Sequence, residues 1–483
     1  MKMLKYLSFL SVSLMLFSCT KSEMDSVNED LNNTTEMSSP NIIPDAILKT
    51  GFESNNTDIA WYSSVFIEHS TGTWGQFYQA DRRSALNSAS LMNNSWNSLY
   101  DVMNECNTII KKTDPTSGNE PTSYFTRGVG QILMAYNLAI TTDMWGEVPY
   151  TEAFKGLDNL KPAYDKQSDL YVKIQALLDD AIVNLGKAPA SNNSIADKDY
   201  IYGGKSDSWI KAAYSLKARF YLRLTQKDAN AATKAIAAAA NGFSSDGDEM
   251  LLTIFDGNSL NNPWAGLWYE RSGLSTSATF ETFLTERNDP RLKWLVVSDD
   301  DGPAPNGNSE QTQAGYDVSA LSTGWNGFAY PVPMMTYHEL QFILAEAKFR
   351  AGDATWQNSL KDAITASFTY IQTYFTDIDD VVYTVDADTY YTNEVLPRLT
   401  AGNELKEILT QKFIAGYEFE AIEAYNDYRR TGVPTLNNPL NSTIGFVNRF
   451  PFAHSEVSNN PANVPACNIY TDKVWWAGGS EKL

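Results

Sequence analysis

The sequence predicts an all-α protein, a superhelix of tetratricopeptide-like helical pairs with long irregular loop insertions. Apolar residues recur at steps of three and four in many segments, which is the period of an amphipathic helix. Residues 339–367 and 403–431 each contain two such segments in succession, similar to a helix–turn–helix unit of about 34 residues. Because one pair buries its apolar face only against a neighbour, we expect about four stacked pairs.

The clearest helical period runs from Leu170 to Leu185, where seven apolar residues fall on one face. The same spacing indicates helices near residues 129–140 and 340–347 and near two tryptophans, Trp96 and Trp209. Both tryptophans lie on the apolar stripe of their helix. We therefore expect them in the core and not at a binding site.

The N-terminus predicts export. Residues 1–18 have the pattern of a signal peptide, in which lysines precede an uncharged apolar run too short to span a bilayer. Leu16 and Ser18 before Cys19 resemble the lipobox of bacterial lipoproteins, so Cys19 is the expected lipidation site; an ordinary signal peptide is the alternative. Residues 19–40 are polar and predict a flexible tether, which leaves residues 41–483 as a single domain.

Charge and composition exclude several classes of function. The chain has 37 Lys and Arg against 58 Asp and Glu, a net charge of −21, so a nucleic acid would be repelled. Three scattered histidines and no phosphate-binding or hydrolase motif indicate no transition metal and no cofactor. The run Asp299 to Asp301 suggests calcium, but consecutive carboxylates point in different directions, so a solvated charge run fits better. A disulfide between Cys106 and Cys467 stays possible.

Two segments, residues 61–81 and 241–333, break the helical pattern and are rich in aromatic residues. A long irregular stretch in a compact protein usually carries function. Exposed aromatic planes beside amide, carboxylate and guanidinium groups suit a ligand with apolar faces and polar rims. These segments therefore supply our candidate ligand contacts, which are Trp74, Gln76, Phe77, Tyr78, Asp81, Trp268, Tyr269, Arg271, Trp325 and Asn326.

Several short blocks, in order along the chain and behind the lipobox, resemble one family, the SusD/RagB-type surface lipoproteins of Bacteroidetes. The family's members lie as lids over TonB-dependent outer-membrane transporters. The resemblance covers essentially the whole mature chain. The blocks are Trp96 to Tyr100, Asp143 to Tyr150, Tyr164 to Gln167, Trp209 with Ser215 to Arg219, Asn288 to Arg291, Ala424 to Pro434, Asn448 to Pro451 and Lys473 to Trp476.

The resemblance implies a protein at the outer membrane, lipid-anchored and facing the cell exterior. It implies capture of an oligosaccharide without catalysis and delivery to a SusC-like TonB-dependent transporter as partner. We expect the blocks themselves to serve packing more often than chemistry. Loops of the family vary too much for any single ligand contact to be carried over.

Two alternatives stay open. A lid of the same architecture could carry peptides, with polar loop groups pairing with backbone amides. A surface glycoside hydrolase would need two carboxylates about 5 to 10 Å apart, and the sequence has no catalytic signature.

Overall fold

The computed structural model describes residues 37–483 except residues 90, 321–324 and 375–385. The predicted signal peptide, Cys19 and most of the tether lie outside the described residues. The first helix begins at Ser39, two residues before the predicted domain boundary, and the Ser39 amide donates to Glu120 Oε1 at 3.1 Å. Within the described part, no helix is long and apolar enough to span a membrane.

Helices dominate the chain, as the apolar period predicts. In chain order they are α1 Ser39–Lys49, α2 Asp58–Phe66, α3 Gly75–Asp81, α4 Asn93–Lys112, α5 Tyr124–Trp145, α6 Gln167–Leu185, α7 Ser206–Arg223, α8 Ala231–Ala239, α9 Pro263–Arg271, α10 Ala278–Thr285, α11 Leu292–Leu295, α12 Tyr337–Ala351, α13 Trp356–Tyr374, α14 Ala387–Tyr390, α15 Glu404–Ala415, α16 Ala421–Thr431, α17 Leu440–Thr443 and α18 His454–Asn459.

The long helices pack in consecutive pairs. Helix α4 packs on α5, α6 on α7, α12 on α13 and α15 on α16, while α5 also contacts α6 and α8 contacts α12. The helical-pair architecture is therefore confirmed. Trp96 on α4 and Trp209 on α7 are buried, also as predicted.

Local sequence explains where two of these helices end. Helix α5 stops at Gly146, whose φ of +82° is a left-handed conformation that favours glycine. A Cβ there would lie 2.9 Å from Arg449 Nη2. Helix α12 begins after Thr336, whose hydroxyl accepts a hydrogen bond from the Glu339 amide at 3.1 Å, and ends before Gly352 at φ +74°.

Short antiparallel strands join distant parts of the chain. They are β1 Ser70–Gly72, β2 Met250–Leu252, β3 Leu274–Thr276, β4 Val296–Val297, β5 Val318–Ser319 and β6 Val332–Met335. Within the described residues they form three two-stranded sheets, in which β1 pairs with β3, β2 with β6 and β4 with β5. Strand β1 meets β3 with Thr71 opposite Ser275. This pairing holds the segment after α2 against the segment after α9.

The predicted irregularity of residues 61–81 and 241–333 is wrong in part. Most of α2, all of α3 and the helices α9 to α11 fall inside these ranges, together with strands β1 to β5. Helices α2 and α9 have nine residues each, and the others have eight residues or fewer. Such short helices depend on caps and tertiary contacts more than on an apolar period.

Buried ion pairs tie the helical pairs together, and the quoted sequence blocks supply many of them. On α7, Arg223 pairs with Asp143 of α5 at 2.7 Å and also with Glu423 of α16. One turn earlier, Arg219 donates to Glu339 of α12 at 2.9 Å. These contacts give the blocks a packing role, as expected from the sequence.

Both cysteines of the described part are free thiols. Cys106 is buried on α4, and burial raises the pKa of its thiol. Cys467 is half-buried near the C-terminus, and burial raises its thiol pKa as well. The possible disulfide is therefore not formed.

Candidate functional site

An open cleft of about 870 Å³ lies where three distant parts of the chain meet. One wall comes from α2 and the turn before it, a second from residues 89 and 91–94, and a third from residues 260–271. Gln76 and His454 complete the lining. The volume falls within the usual range for ligand pockets, about 300–1,000 Å³.

Helix α2 presents three chemically different side chains to the cleft. Asp58, Trp61 and Tyr62 stand at positions i, i+3 and i+4, so they share one helix face, and all three line the cleft. The Trp61 ring is held edge-on by Phe77 and Trp264, with ring centroids 6.2 and 6.5 Å away. Its buried indole N–H has no hydrogen-bond partner among the described residues.

The electrostatics of this wall centre on Asp58. Burial is the largest cause that raises the pKa of its carboxyl, and the neighbouring Glu53 raises it further. Arg271 across the cleft lowers the Asp58 pKa, but by less than either of those causes. Burial also raises the pKa of the Tyr62 phenol, so this hydroxyl stays protonated. The field at Asp58 is thus negative on balance.

The opposite wall is fixed by the start of α9. Asn262 caps this helix, because its side-chain oxygen accepts from the Trp264 amide at 2.9 Å, and Pro263 occupies the first turn. The Asn262 side-chain amide also donates to the Tyr330 carbonyl at 3.0 Å. Helix α9 ends at Arg271, after which Ser272 adopts φ +44° and leads into β3. The β1–β3 pairing then places Arg271 on the same cleft as Gln76.

Two of the predicted contacts line this cleft, and four others lie one or two chain positions from a lining residue. Gln76 and Arg271 line the cleft, and both are exposed. Trp74 lies two positions before Gln76 and is 42% exposed, and Tyr269 lies two positions before Arg271 and is 73% exposed. The Tyr269 ring lies edge-on to Phe328 at 5.8 Å, while Tyr78 is half-buried with the Arg82 guanidinium 4.8 Å from its ring centre. Trp268 is half-buried and lines a small gap beside Trp264.

Two predicted contacts are buried and therefore drop out of the set. Phe77 is 2% exposed and packs on Tyr62 with ring centroids 5.3 Å apart. Asp81 is fully buried and accepts from the Gly307 amide at 2.6 Å, while burial raises its pKa to about 6. Both point inward from α3, where Phe77 and Asp81 share one face.

Trp325 and Asn326 belong to a short 3₁₀ turn, Trp325–Ala329, but their side chains lie outside the described residues. Their role as ligand contacts stays a prediction. The residues that the sequence prediction missed are chiefly Asp58 and Trp61. The signal that could have found them is their three-residue spacing at the start of an apolar helix.

The remaining ionisable candidates do not gather into a second centre. Asp299, Asp300 and Asp301 are all exposed. In the part of the chain that the structure describes, no group of three His, Cys, Asp or Glu residues could hold a metal ion. His454 is exposed at the rim of the cleft, whereas His69 is fully buried, and burial lowers its pKa to about 3.

Stacked helical pairs with an open cleft lined by aromatic rings and polar side chains are typical of a ligand-binding protein of the helical-repeat class. Comparison with known families is consistent with this class. The chain belongs to the SusD-like family, described as starch-binding and associating with the outer membrane, whose sequence profile matches residues 32–452. That description names binding and no reaction.

Solved structures share the fold over nearly the whole chain. A SusD/RagB family protein from Bacteroides thetaiotaomicron is 31% identical with a TM-score of 0.83, covering 92% of this chain and 100% of that one. A chitin-binding protein is 25% identical with a TM-score of 0.75, covering 91% and 99%. A chitin-binding SusD homologue from Flavobacterium johnsoniae, at 20% identity and a TM-score of 0.72, covers 91% and 100% and shows the fold alone. No curated protein sequence matches the chain.

Proposed function

We propose that this protein is a cell-surface lipoprotein that captures an oligosaccharide in the cleft and delivers it to a SusC-like TonB-dependent transporter. The observation that carries the proposal is the lining of the cleft, where aromatic rings stand beside amide, carboxylate and guanidinium groups. The family's description as starch-binding and the chitin-binding name of one relative support a glycan as ligand.

The chemistry of the cleft suits a sugar chain. A pyranose ring has an apolar face of C–H groups, which gains dispersion energy against an aromatic plane, and a rim of hydroxyls that need hydrogen-bond partners. Trp61 and Phe52 supply aromatic surface in the cleft, and Trp74 and Tyr269 supply exposed rings on adjoining residues. Gln76, Asn94, Asn261 and Arg271 offer amide and guanidinium groups at the solvent side.

Anchoring and handover complete the proposal. Acylation at Cys19 would hold the protein on the outer membrane, facing the exterior, and residues 20–38 would link the anchor to α1. An open cleft without a covalent step allows the ligand to leave again. Release to a transporter needs only a competing site and no reaction, so the protein acts as a binding partner and not as an enzyme.

Calorimetry on the mature lipoprotein in detergent tests this function. Starch, chitin and other neutral oligosaccharides would be titrated, with a peptide library as the alternative ligand class. We expect glycan binding that weakens about fivefold in Trp74→Ala and Tyr269→Ala, equivalent to about 1 kcal/mol for each ring. Tyr200→Ala is the matched control, because Tyr200 is also exposed but, unlike Trp74 and Tyr269, has no neighbour along the chain in the cleft lining.

Three results would redirect the proposal. Binding of peptides and not of glycans would favour the peptide-carrying lid. Shortened products of a bound glycan, abolished by one carboxylate substitution, would favour a hydrolase. Glycan affinity unchanged in both ring variants would remove the proposed site.

A further inference from the structure

One face of α2 combines a carboxylate and an aromatic ring at the spacing of a sugar unit. Asp58 and Trp61 are three residues apart on the helix, so their Cβ atoms lie about 5–6 Å from each other on one face. A sugar ring resting on Trp61 would therefore place one of its substituents beside the Asp58 carboxylate. Both residues line the cleft.

The Asp58 carboxylate has no donor of its own. Among the described residues, no hydrogen bond is made to its oxygens, and the charged groups that act on it are Glu53 and Arg271. Burial and Glu53 raise the Asp58 pKa, and the positive N-terminus of α2 partly offsets them, because Asp58 lies in the first turn of this helix. The Asp58 carboxylate is half-buried and lines the cleft, so a ligand that donates a charge-assisted hydrogen bond to it gains affinity.

The surroundings favour a cationic donor over a neutral one. Glu53 stands near Asp58, and Glu270 lines the opposite wall beside Arg271. The like charge of Glu53 affects Asp58 more than the opposite charge of Arg271 does. The whole chain carries a net charge of −21, which adds long-range attraction for cations and repulsion for anions.

We propose that the cleft selects glycans that carry free amino groups, with the sugar ring on Trp61 and its ammonium group against the Asp58 carboxylate. This inference rests on the proposed function, because it names the ligand class of the same cleft. Acetylation removes the positive charge and all but one of the N–H donors. Amino sugars in the free form therefore bind more tightly than their acetylated counterparts, and uronic or sulfated sugars bind poorly.

The test compares two ligands of equal length, the hexamers of glucosamine and of N-acetylglucosamine. Calorimetry on the mature lipoprotein in detergent measures both dissociation constants across a range of pH, because the pair needs a protonated sugar amine and an ionised Asp58, whose pKa is raised by burial. We expect the glucosamine hexamer to bind about tenfold more tightly, since a charge-assisted hydrogen bond is about twice as strong as a neutral one. Added salt lowers this ratio, because the attraction is partly electrostatic.

Substitutions test whether the Asp58 carboxylate causes the preference for free amino sugars. Asp58→Asn keeps the shape of the side chain and should bring the two affinities within about twofold. Asp180→Asn on α6 is the matched control, since it makes the same change of charge at an exposed position away from the cleft lining, and it should keep the preference. Glu270→Gln, an exposed change on the opposite wall, should lower the ratio by a smaller factor and serves if Asp58→Asn folds poorly.

The outcomes separate this inference from the proposed function. Equal affinity for the two hexamers in the unchanged protein, or tighter binding of the acetylated one, overturns the amino-sugar preference while glycan binding stands. A preference that persists in Asp58→Asn overturns the role of Asp58. Failure to bind any glycan, including starch oligosaccharides, counts against the proposed function itself.

Discussion

Replacing Arg219 by methionine removes one half of a buried ion pair that joins α7 to α12. The Arg219 Nε donates to Glu339 Oε1 at 2.9 Å and its Nη2 to the Met334 carbonyl at 2.9 Å. Both side chains are almost wholly buried. In the variant the Glu339 carboxylate stays inside the protein with Lys412 Nζ 3.9 Å away. We expect a loss of about 3–5 kcal/mol in the free energy of unfolding, because breaking a buried pair leaves an uncompensated charge.

Urea unfolding followed by tryptophan fluorescence and circular dichroism measures this loss. A loss of that size is a large part of the 5–15 kcal/mol that usually stabilises a folded protein. The double variant Arg219→Met with Glu339→Met should recover most of it, since removing both charges is often close to neutral. Lys234→Met is the control, because the Lys234 side chain is 49% exposed and pairs with Asp228 on the surface; we expect less than about 1 kcal/mol there. The reasoning is refuted if Arg219→Met costs no more than Lys234→Met, or if the double variant is no more stable than the single one.

Three further changes probe the pH dependence, a helix cap and a helix end. Burial raises the pKa of the Glu249 carboxyl to about 7, whereas in the unfolded chain this carboxyl loses its proton near pH 4.5. As the pH rises from 4.5 to 7, the free energy of unfolding should therefore fall by up to about 1.4 kcal/mol per pH unit. Glu249→Gln should flatten this part of the profile of melting temperature against pH. An unchanged slope would contradict that assignment. Asn262→Ala removes the cap of α9 and should lower the free energy of unfolding, measured in urea, by about 1–2 kcal/mol. It should also weaken glycan binding. If neither stability nor binding changes, the cap has no role. Gly146 has φ +82°, and a Cβ there would lie 2.9 Å from Arg449 Nη2, whereas Gly156 has φ +56° and open space around it. Gly146→Ala should therefore lower the melting temperature more than Gly156→Ala. Equal losses would mean that backbone strain alone, and not the contact with Arg449, accounts for the cost.

The sequence predicts the long helices well because their apolar faces are read directly from a local period. The stripe from Leu170 to Leu185 corresponds to α6, and the units near residues 339–367 and 403–431 correspond to the pairs α12–α13 and α15–α16. The resemblance to the SusD/RagB family is confirmed by the family profile. Predicting these features does not require knowing which residues far apart in the sequence are in contact.

The cleft was only partly predictable, because contacts between residues far apart in the chain decide which side chains face it. Gln76 and Arg271 lie on the cleft as the composition of their segments suggested, yet Phe77 and Asp81 are turned inward. The donor to Asp81 is the Gly307 amide, 226 positions away. A local pattern cannot show that such a carboxylate will find its partner inside the protein, and so it was mistaken for an exposed group.

The arrangement of the cleft walls also fixes when the protein becomes able to bind. One wall is made by the first hundred residues, another only after residue 260, and the rim includes His454, close to the end of the chain. All three walls are present only in a chain that reaches residue 271, and the rim is complete only in one that reaches residue 454. A fragment that ends before residue 260 therefore lacks a whole wall of the binding site, however well its own helices form.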